Sequence, residues 1–133
     1  MSQENVEIVR AMNEAYLRGD YPRAMEILDP DIEWRGTKGG LDEGNVYRGH
    51  EDVAMAFADN LMTWESLKLD YERYIDAGDH VVVFVHEAAR GLESGAEVET
   101  NTAVVFTFQG DKIVRARAFM DRAEALEVVG LRE

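Results

Sequence analysis

The chain has 133 residues, of which 46% are hydrophobic, and this suits one folded domain with a substantial core. Its 27 acidic and 14 basic residues give a formal net charge of −13, which repels phosphate backbones and anionic lipids and argues against nucleic-acid and membrane partners. Because there is no cysteine, disulfides, thiolate metal sites and cysteine nucleophiles are excluded.

The first segment, residues 1–7, is polar and acidic and lacks the basic and apolar regions of a signal peptide. No apolar run approaches the ~20 residues that a membrane-spanning helix needs. We therefore expect a cytoplasmic protein.

The N-terminal third predicts two helices. Apolar residues spaced three to four apart from Val6 to Tyr16 indicate one helical face, and Gly19 is typical of a helix end. Asp20 predicts the cap of a second, shorter helix, which we expect to close at Asp29-Pro30.

Alternating polar and apolar residues at Asp31–Arg35 predict a half-buried strand, and a glycine-rich loop at 36–44 follows it. Residues 46–51 lead into a third helix. The rest of the chain reads as four strands joined by short turns, which favour antiparallel neighbours, and a short C-terminal helix. The predicted strands are 67–75, 80–90, 97–108 and 112–120.

This order predicts an α+β fold in which helices from the N-terminal half cover one face of a sheet. The sequence contains no internal repeat, low-complexity stretch or linker. We therefore predict that residues 1–133 form a single domain.

Four short sequence motifs resemble those of a known family. They are Tyr16-Leu17-Arg18-Gly19-Asp20, Leu28-Asp29-Pro30-Asp31-Ile32-Glu33-Trp34, Tyr47-Arg48-Gly49-His50-Glu51 and Gly110-Asp111-Lys112-Ile113-Val114. In this order they resemble the nuclear transport factor 2-like superfamily and its SnoaL-like domain proteins. The resemblance implies a cone, in which a curved antiparallel or mixed sheet wraps around three N-terminal-half helices, with a pocket inside and a short C-terminal helix. It also implies a homodimer formed through the outer face of the sheet.

Strand alternation, aligned with the pattern of the isomerase relative, assigns side chains to the concave face of this cone. The expected lining is mostly apolar and suits a small, flat hydrophobic molecule, although the same side chains could simply fill the cone as core. The predicted ligand-binding residues are Met12, Tyr16, Trp34, Phe57, Leu61, Phe84, His86, Thr102, Val104, Ala118 and Met120.

The catalytic residues of enzymes in the superfamily are not matched. The resemblance assigns Ala116 and Ala118 to the His-x-Asp pair of SnoaL-type cyclases. It assigns Met12, a position at about Gly36, and Val104 to the tyrosine, the general-base Asp and the protonated Asp of the ketosteroid isomerase. None of these side chains transfers a proton. The Asp-Arg-Asp set of the epoxide hydrolase relative has no counterpart that we can place on inward faces.

His86 is then the main ionisable residue that we expect inside the cone, because a histidine titrates near neutral pH and can act as a general base. Tyr16 and Asp121 are weaker catalytic candidates, and we expect Glu87 to point outward. A buried histidine that is hydrogen-bonded to structure is the competing interpretation. The three histidines share no metal-ligand spacing, so we expect neither a metal nor a cofactor.

Three functions remain open at this point. They are binding of a hydrophobic small molecule, catalysis of the isomerase, cyclase or hydrolase type through His86, and dimerisation without a ligand. For a dimer interface on the outer face, the predicted residues are Val83, Val85, Val105, Arg115, Arg117 and Phe119.

Overall fold

The computed structural model of the chain describes residues 2–40 and 42–131. The N-terminal half contains the helices α1 (Ser2–Leu17) and α2 (Tyr21–Glu26), the strands β1 (Leu28–Lys38) and β2 (Val46–Arg48), and the long helix α3 (Gly49–Thr63). The C-terminal half contains β3 (Trp64–Ala77), β4 (His80–Gly91), β5 (Glu97–Gln109), β6 (Lys112–Phe119) and the short helix α4 (Arg122–Val128). No helix in the described part of the chain is long and apolar enough to span a membrane.

The predicted α+β fold with its short C-terminal helix is confirmed, and several elements differ in extent from the prediction, among them β3, which begins at Trp64 and ends at Ala77. Helix α2 ends at Glu26 rather than at Asp29-Pro30, because the backbone has already joined β1 by Leu28. That strand is longer than predicted, since it pairs along one edge with β2 and along the other with β6. The segment before α3 contributes the short edge strand β2.

The six strands form one curved, mixed sheet in the order β2-β1-β6-β5-β4-β3. The pairing of β1 with β6 is parallel, and every other neighbouring pair is antiparallel. Parallel partners need a long crossover between them, and here α3 and the meander β3-β4-β5 supply it.

Helices α1, α2 and α3 cover the concave face of the sheet. Val9, Ala24 and Val53, one from each helix, are almost fully buried in one cluster with Ile32 and Val83 of the sheet. Burial of this apolar area supplies most of the energy that holds the helices in the cone.

Helix α4 lies on the opposite, convex face. Its Ala125 and Leu126 pack against Phe84, Val105 and Phe119, which all point away from the cone. The chain therefore covers the apolar part of its own outer face, and β4 is buried on both of its faces.

Candidate functional site

A cavity of about 1010 Å³ lies between the helices and the concave face of the sheet. Its wall includes side chains from α1, α3 and every strand of the sheet. Small-molecule sites in proteins span a few hundred to about 1,000 Å³, so this cavity is as large as such sites become.

A row of aromatic rings lines part of this wall. The ring of Tyr16 lies 5.4 Å from that of Phe57, which in turn lies 5.0 Å from the ring of Trp34. Trp34 also lies 5.8 Å from Phe106 at the base of the cone. All three contacts are edge-to-face, a geometry that holds the rings in fixed orientations.

The pairing between β4 and β5 decides which side chains of β4 enter the cavity. Val83 lies opposite Val104, and Val85 lies opposite Thr102. Directly paired residues of antiparallel strands project from the same face of the sheet. Because Val104 and Thr102 line the cavity, Val83 and Val85 line it too, and Glu87 follows them on the same face.

The structure brings eight of the predicted ligand-binding residues onto the cavity wall, and their role in binding stays a prediction. They are Met12, Tyr16, Trp34, Phe57, Thr102, Val104, Ala118 and Met120. Leu61 belongs to α3 but is not part of the wall. The predicted placement of Phe84 and His86 on the concave face is wrong, because both lie on the convex face.

The face of β4 was misassigned because this strand is apolar on both sides. Val82 and Phe84 are buried beneath α4, while Val83 and Val85 are buried toward the cavity. Strands that are covered on both faces lose the alternation that reveals their orientation, and a shift of one residue turns every side chain over.

The same correction changes the predicted dimer interface. Val83 and Val85 lie inside the cone and contribute nothing to the outer face. Val105 and Phe119 do point outward, but α4 packs over them. Arg115 lies on the outer surface, where it contacts Glu33.

His86 lies on the convex face, outside the cavity. Its Nδ1 donates a hydrogen bond of 2.7 Å to Asn101 Oδ1, and its Nε2 is 3.4 Å from Glu99 Oε1. The hydrogen bond to Asn101 raises the pKa of His86 above its usual value. These contacts hold the imidazole against β5, away from any molecule bound inside the cone.

Asp121 acts as the N-cap of α4. Its Oδ1 accepts hydrogen bonds from the backbone N–H groups of Ala123 at 2.9 Å and Glu124 at 3.3 Å. The carboxylate is not part of the cavity wall. Of the three catalytic candidates from the sequence, only Tyr16 lies on that wall.

Glu87 points into the cavity, so the prediction that it points outward is wrong, and its carboxyl group was not among the predicted site residues. Burial raises the pKa of its half-buried carboxyl group, which makes no hydrogen bond or ion pair with any described residue. It lies opposite Leu69 of β3 and Thr100 of β5, and the cavity opens in front of it. The short turn between β4 and β5 is the sequence signal that could have located Glu87. This turn fixes which residues of the two strands pair. Because β5 was oriented correctly, the pairing then shows which side chains of β4 point into the cavity.

Two tyrosines stand near this carboxyl group. Burial raises the pKa of Tyr16 to about 12, and burial also raises the pKa of Tyr71 well above its usual value. Glu87 is close enough to both phenols for its charge to add to these shifts. At neutral pH both phenols are therefore protonated donors, and together with the carboxyl group they can hold the polar end of a ligand or exchange a proton with it.

At the positions where catalytic relatives carry ionisable residues, this chain has apolar side chains. Ala118, Met12 and Val104 lie on the cavity wall, and Ala116 is completely buried. The only ionisable group that β4 places on this wall comes instead from Glu87.

The other two histidines have structural contacts. His50 Nε2 donates to the carbonyl oxygen of Leu28 at 2.7 Å, which ties the start of α3 to β1. His80 Nδ1 and Thr107 Oγ1 share a hydrogen bond of 3.0 Å between β4 and β5. Across residues 2–40 and 42–131, no three His, Cys, Asp or Glu side chains are grouped so that they could hold a metal ion.

Several solved structures are similar to this chain over nearly its whole length. A protein of unknown function from Burkholderia pseudomallei, described as NTF2-like, is 25% identical with a TM-score of 0.78, and the match covers 98% of this chain and 99% of that one. TerC, co-crystallized with polyporic acid, is 22% identical with a TM-score of 0.76 over 95% of this chain and 98% of its own. A protein from Catenulispora acidiphila with a ketosteroid isomerase-like fold, in complex with trimethylamine, is 18% identical with a TM-score of 0.73 over 94% and 93% of the two chains.

The family of the chain follows from its sequence. No curated protein matches it significantly. The family model of the SnoaL-like domain, however, matches residues 9–116, which run from α1 into β6 and include most of the cavity wall. The chain belongs to the SnoaL-like domain family.

Proposed function

We propose that this protein binds a small, largely apolar molecule inside its cone. The observation that carries the proposal is the cavity of about 1010 Å³, whose wall is mostly apolar and includes a row of aromatic rings. Such a site buries most of the surface of a small ligand, while a few polar groups fix its orientation. Among the polar side chains of this wall, we assign that role to Glu87, Tyr16 and Tyr71.

The high exposure of α3 supports a cone with an open cavity rather than one whose interior is filled by packed side chains. Val53 is the only described residue of this helix that is buried, whereas Phe57 on the cavity wall is only partly buried and Met55, also on that wall, is 60% exposed. A helix that covered a closed core would bury a continuous apolar stripe. A ligand between α3 and the sheet would supply the missing contact.

Two proteins with the same fold hold small molecules, which supports this use of the cone. TerC was co-crystallized with polyporic acid, and the Catenulispora acidiphila protein is in complex with trimethylamine. Both are less than 25% identical to this chain, so the support concerns the shape of the site and not the identity of the ligand.

A thermal-shift screen with aromatic polyketides, steroids and terpenoids tests the proposal. A ligand that binds only the folded state raises the melting temperature, by an amount equivalent to about 2.7 kcal/mol at a hundredfold excess over the Kd. In Ala118→Phe the new ring fills part of the cavity, so we expect the shift produced by the same compound to shrink or vanish.

The matched control is Ala88→Phe, because Ala88 lies on β4 but on the opposite face of the sheet. This variant should keep the full ligand-induced shift. The proposal is wrong if no compound raises the melting temperature of the wild type, or if the two variants respond alike.

We also propose a homodimer formed through the convex face of the sheet. Glu33, only 17% exposed, is 2.9 Å from Arg35 and from Arg48 and 3.9 Å from Arg115. These three guanidinium groups and one carboxylate form a basic patch on a chain whose net charge is −13. Glu97 and Glu99, which are exposed on the convex face of a second copy, offer the opposite charge, and this favours association at this patch.

A further inference from the structure

A single carboxylate stands in the part of the cavity that α1, β3 and β4 enclose. Glu87 is half buried and has no hydrogen bond or ion pair within the described chain. Its neighbours across the sheet, Leu69 and Thr100, offer no positive charge. A carboxylate that is partly removed from water without a partner costs free energy, and a ligand of the right charge can recover that cost.

The charge balance of the wall favours a cation. Arg35 is the only Arg or Lys among the described residues of the wall, and its guanidinium belongs to the patch on the convex face, where its Nε donates to Glu33 at 2.9 Å. The other charged groups of the wall are the carboxylates of Asp42, Asp52 and Asp59. Because the whole chain has a formal net charge of −13, its electric field also attracts cations to the cavity and repels anions.

The aromatic wall suits a cation that carries an apolar body. The ring of Phe57 contacts those of Tyr16 and Trp34 on the same wall that holds Glu87. The faces of aromatic rings carry partial negative charge and attract ammonium groups, most strongly where water is excluded. The rings can also bury the hydrocarbon part of a ligand, which the carboxylates of the wall cannot do.

We propose that the ligand of this cavity is an organic amine in its cationic form, with its ammonium group paired to Glu87 and its apolar body against Trp34 and Phe57. This inference rests on the proposed function, because it names the class of molecule that the same cavity takes. Tyr16 and Tyr71 border the carboxylate and complete the surroundings of the ammonium group.

Other ligand classes fit the wall less well. A carboxylate or phosphate ligand would face Glu87 and the carboxylates of Asp42, Asp52 and Asp59 with like charge. A neutral ketone only accepts hydrogen bonds and leaves Glu87 unpaired, whereas a neutral alcohol can donate one hydrogen bond to Glu87 but brings no opposite charge. An ammonium ligand balances the charge of Glu87 and also suits the aromatic rings.

Isothermal titration with three small probes tests the inference. They are 2-phenylethylamine, its neutral analogue 2-phenylethanol, and benzyltrimethylammonium, a permanent cation that donates no hydrogen bond. We expect both cations to bind the wild type about tenfold more tightly than the alcohol does, because ion pairing and cation–π contact add to the same apolar burial. Glu87→Gln should remove this preference.

The matched control for the loss of charge is Glu127→Gln on α4, which lies on the other side of the sheet and should keep the preference. The comparison of probes on the wild type needs no variant, so the test does not depend on how Glu87→Gln folds. Equal or tighter binding of the alcohol overturns the amine inference and leaves the proposed cavity function standing. If none of these probes binds, the amine inference fails, and if the wider screen also finds nothing, both proposals fail.

Discussion

Adjacent residues on β4 have opposite environments, and the difference decides which of them can act on a ligand. His86 is held on the convex face by Asn101 and Glu99, where its imidazole is already engaged. Glu87 points into the cavity and has no partner there among the described residues. Of these two residues, only Glu87 is positioned to contact a molecule inside the cone.

This environment predicts a pH-dependent gain of stability in Glu87→Gln. Burial raises the pKa of Glu87, so the folded protein holds this proton more tightly than the unfolded chain does. The stabilising effect of that proton is complete below the unfolded pKa of ~4.3 and is lost as the pH rises through the higher folded pKa. Glutamine never ionises, so at about pH 7 the variant should melt a few degrees higher than the wild type.

Melting temperatures between about pH 4 and pH 8 measure this effect, and the two curves should converge at the acidic end. Glu127→Gln is the control, since its exposed carboxylate lies outside the cavity and should show no such divergence. A lower melting temperature of Glu87→Gln at neutral pH would show that the charged carboxylate stabilises the fold.

At the scale of the elements, the short helix α4 decides how β4 and β5 are buried. Ala125 and Leu126 cover Phe84 and Val105, so a helix of seven residues protects the convex side of the central strands. A helix this short is not stable by itself and depends on its cap and its packing.

Asp121→Ala should therefore destabilise the protein without changing the cavity. Loss of the two hydrogen bonds at the N-terminus of α4 is expected to cost about 1 kcal/mol, within the usual range for a removed N-cap. Asp121→Asn should retain most of the stability, because asparagine caps as well as aspartate. Urea denaturation measures both variants, and equal stability of the alanine and asparagine variants would contradict the capping role.

At the scale of the whole molecule, electrostatics affects whether two copies of the chain associate. The chain has a net charge of −13 and a basic patch at Glu33, Arg35, Arg48 and Arg115. We expect sedimentation velocity to show a dimer that dissociates as the salt concentration rises, because salt screens exposed charges. Arg115→Glu should shift the protein toward the monomer, whereas Arg18→Glu at the end of α1 should not. A wild type that stays monomeric at every concentration would refute the dimer.

The sequence by itself determined the order of the elements and the faces of those that are covered on one side only. In α1 a polar face alternates with an apolar one, and this contrast is enough to orient Met12 and Tyr16, whereas the family resemblance oriented Thr102 and Val104 of β5. The local pattern is enough to orient such an element, because polar residues occupy the side that faces solvent and apolar residues occupy the side that faces the core.

Only the tertiary structure decided the orientation of β4 and the volume of the cavity. Valines and a phenylalanine fill both faces of β4, so no periodic contrast distinguishes Glu87 from His86, and only the pairing of Val85 with Thr102 does. The cavity arises from the separation between α3 and the curved sheet, a distance that no local pattern encodes. The apolar lining could thus be read from the sequence in large part, whereas the carboxylate within it could be located only once the strands were paired.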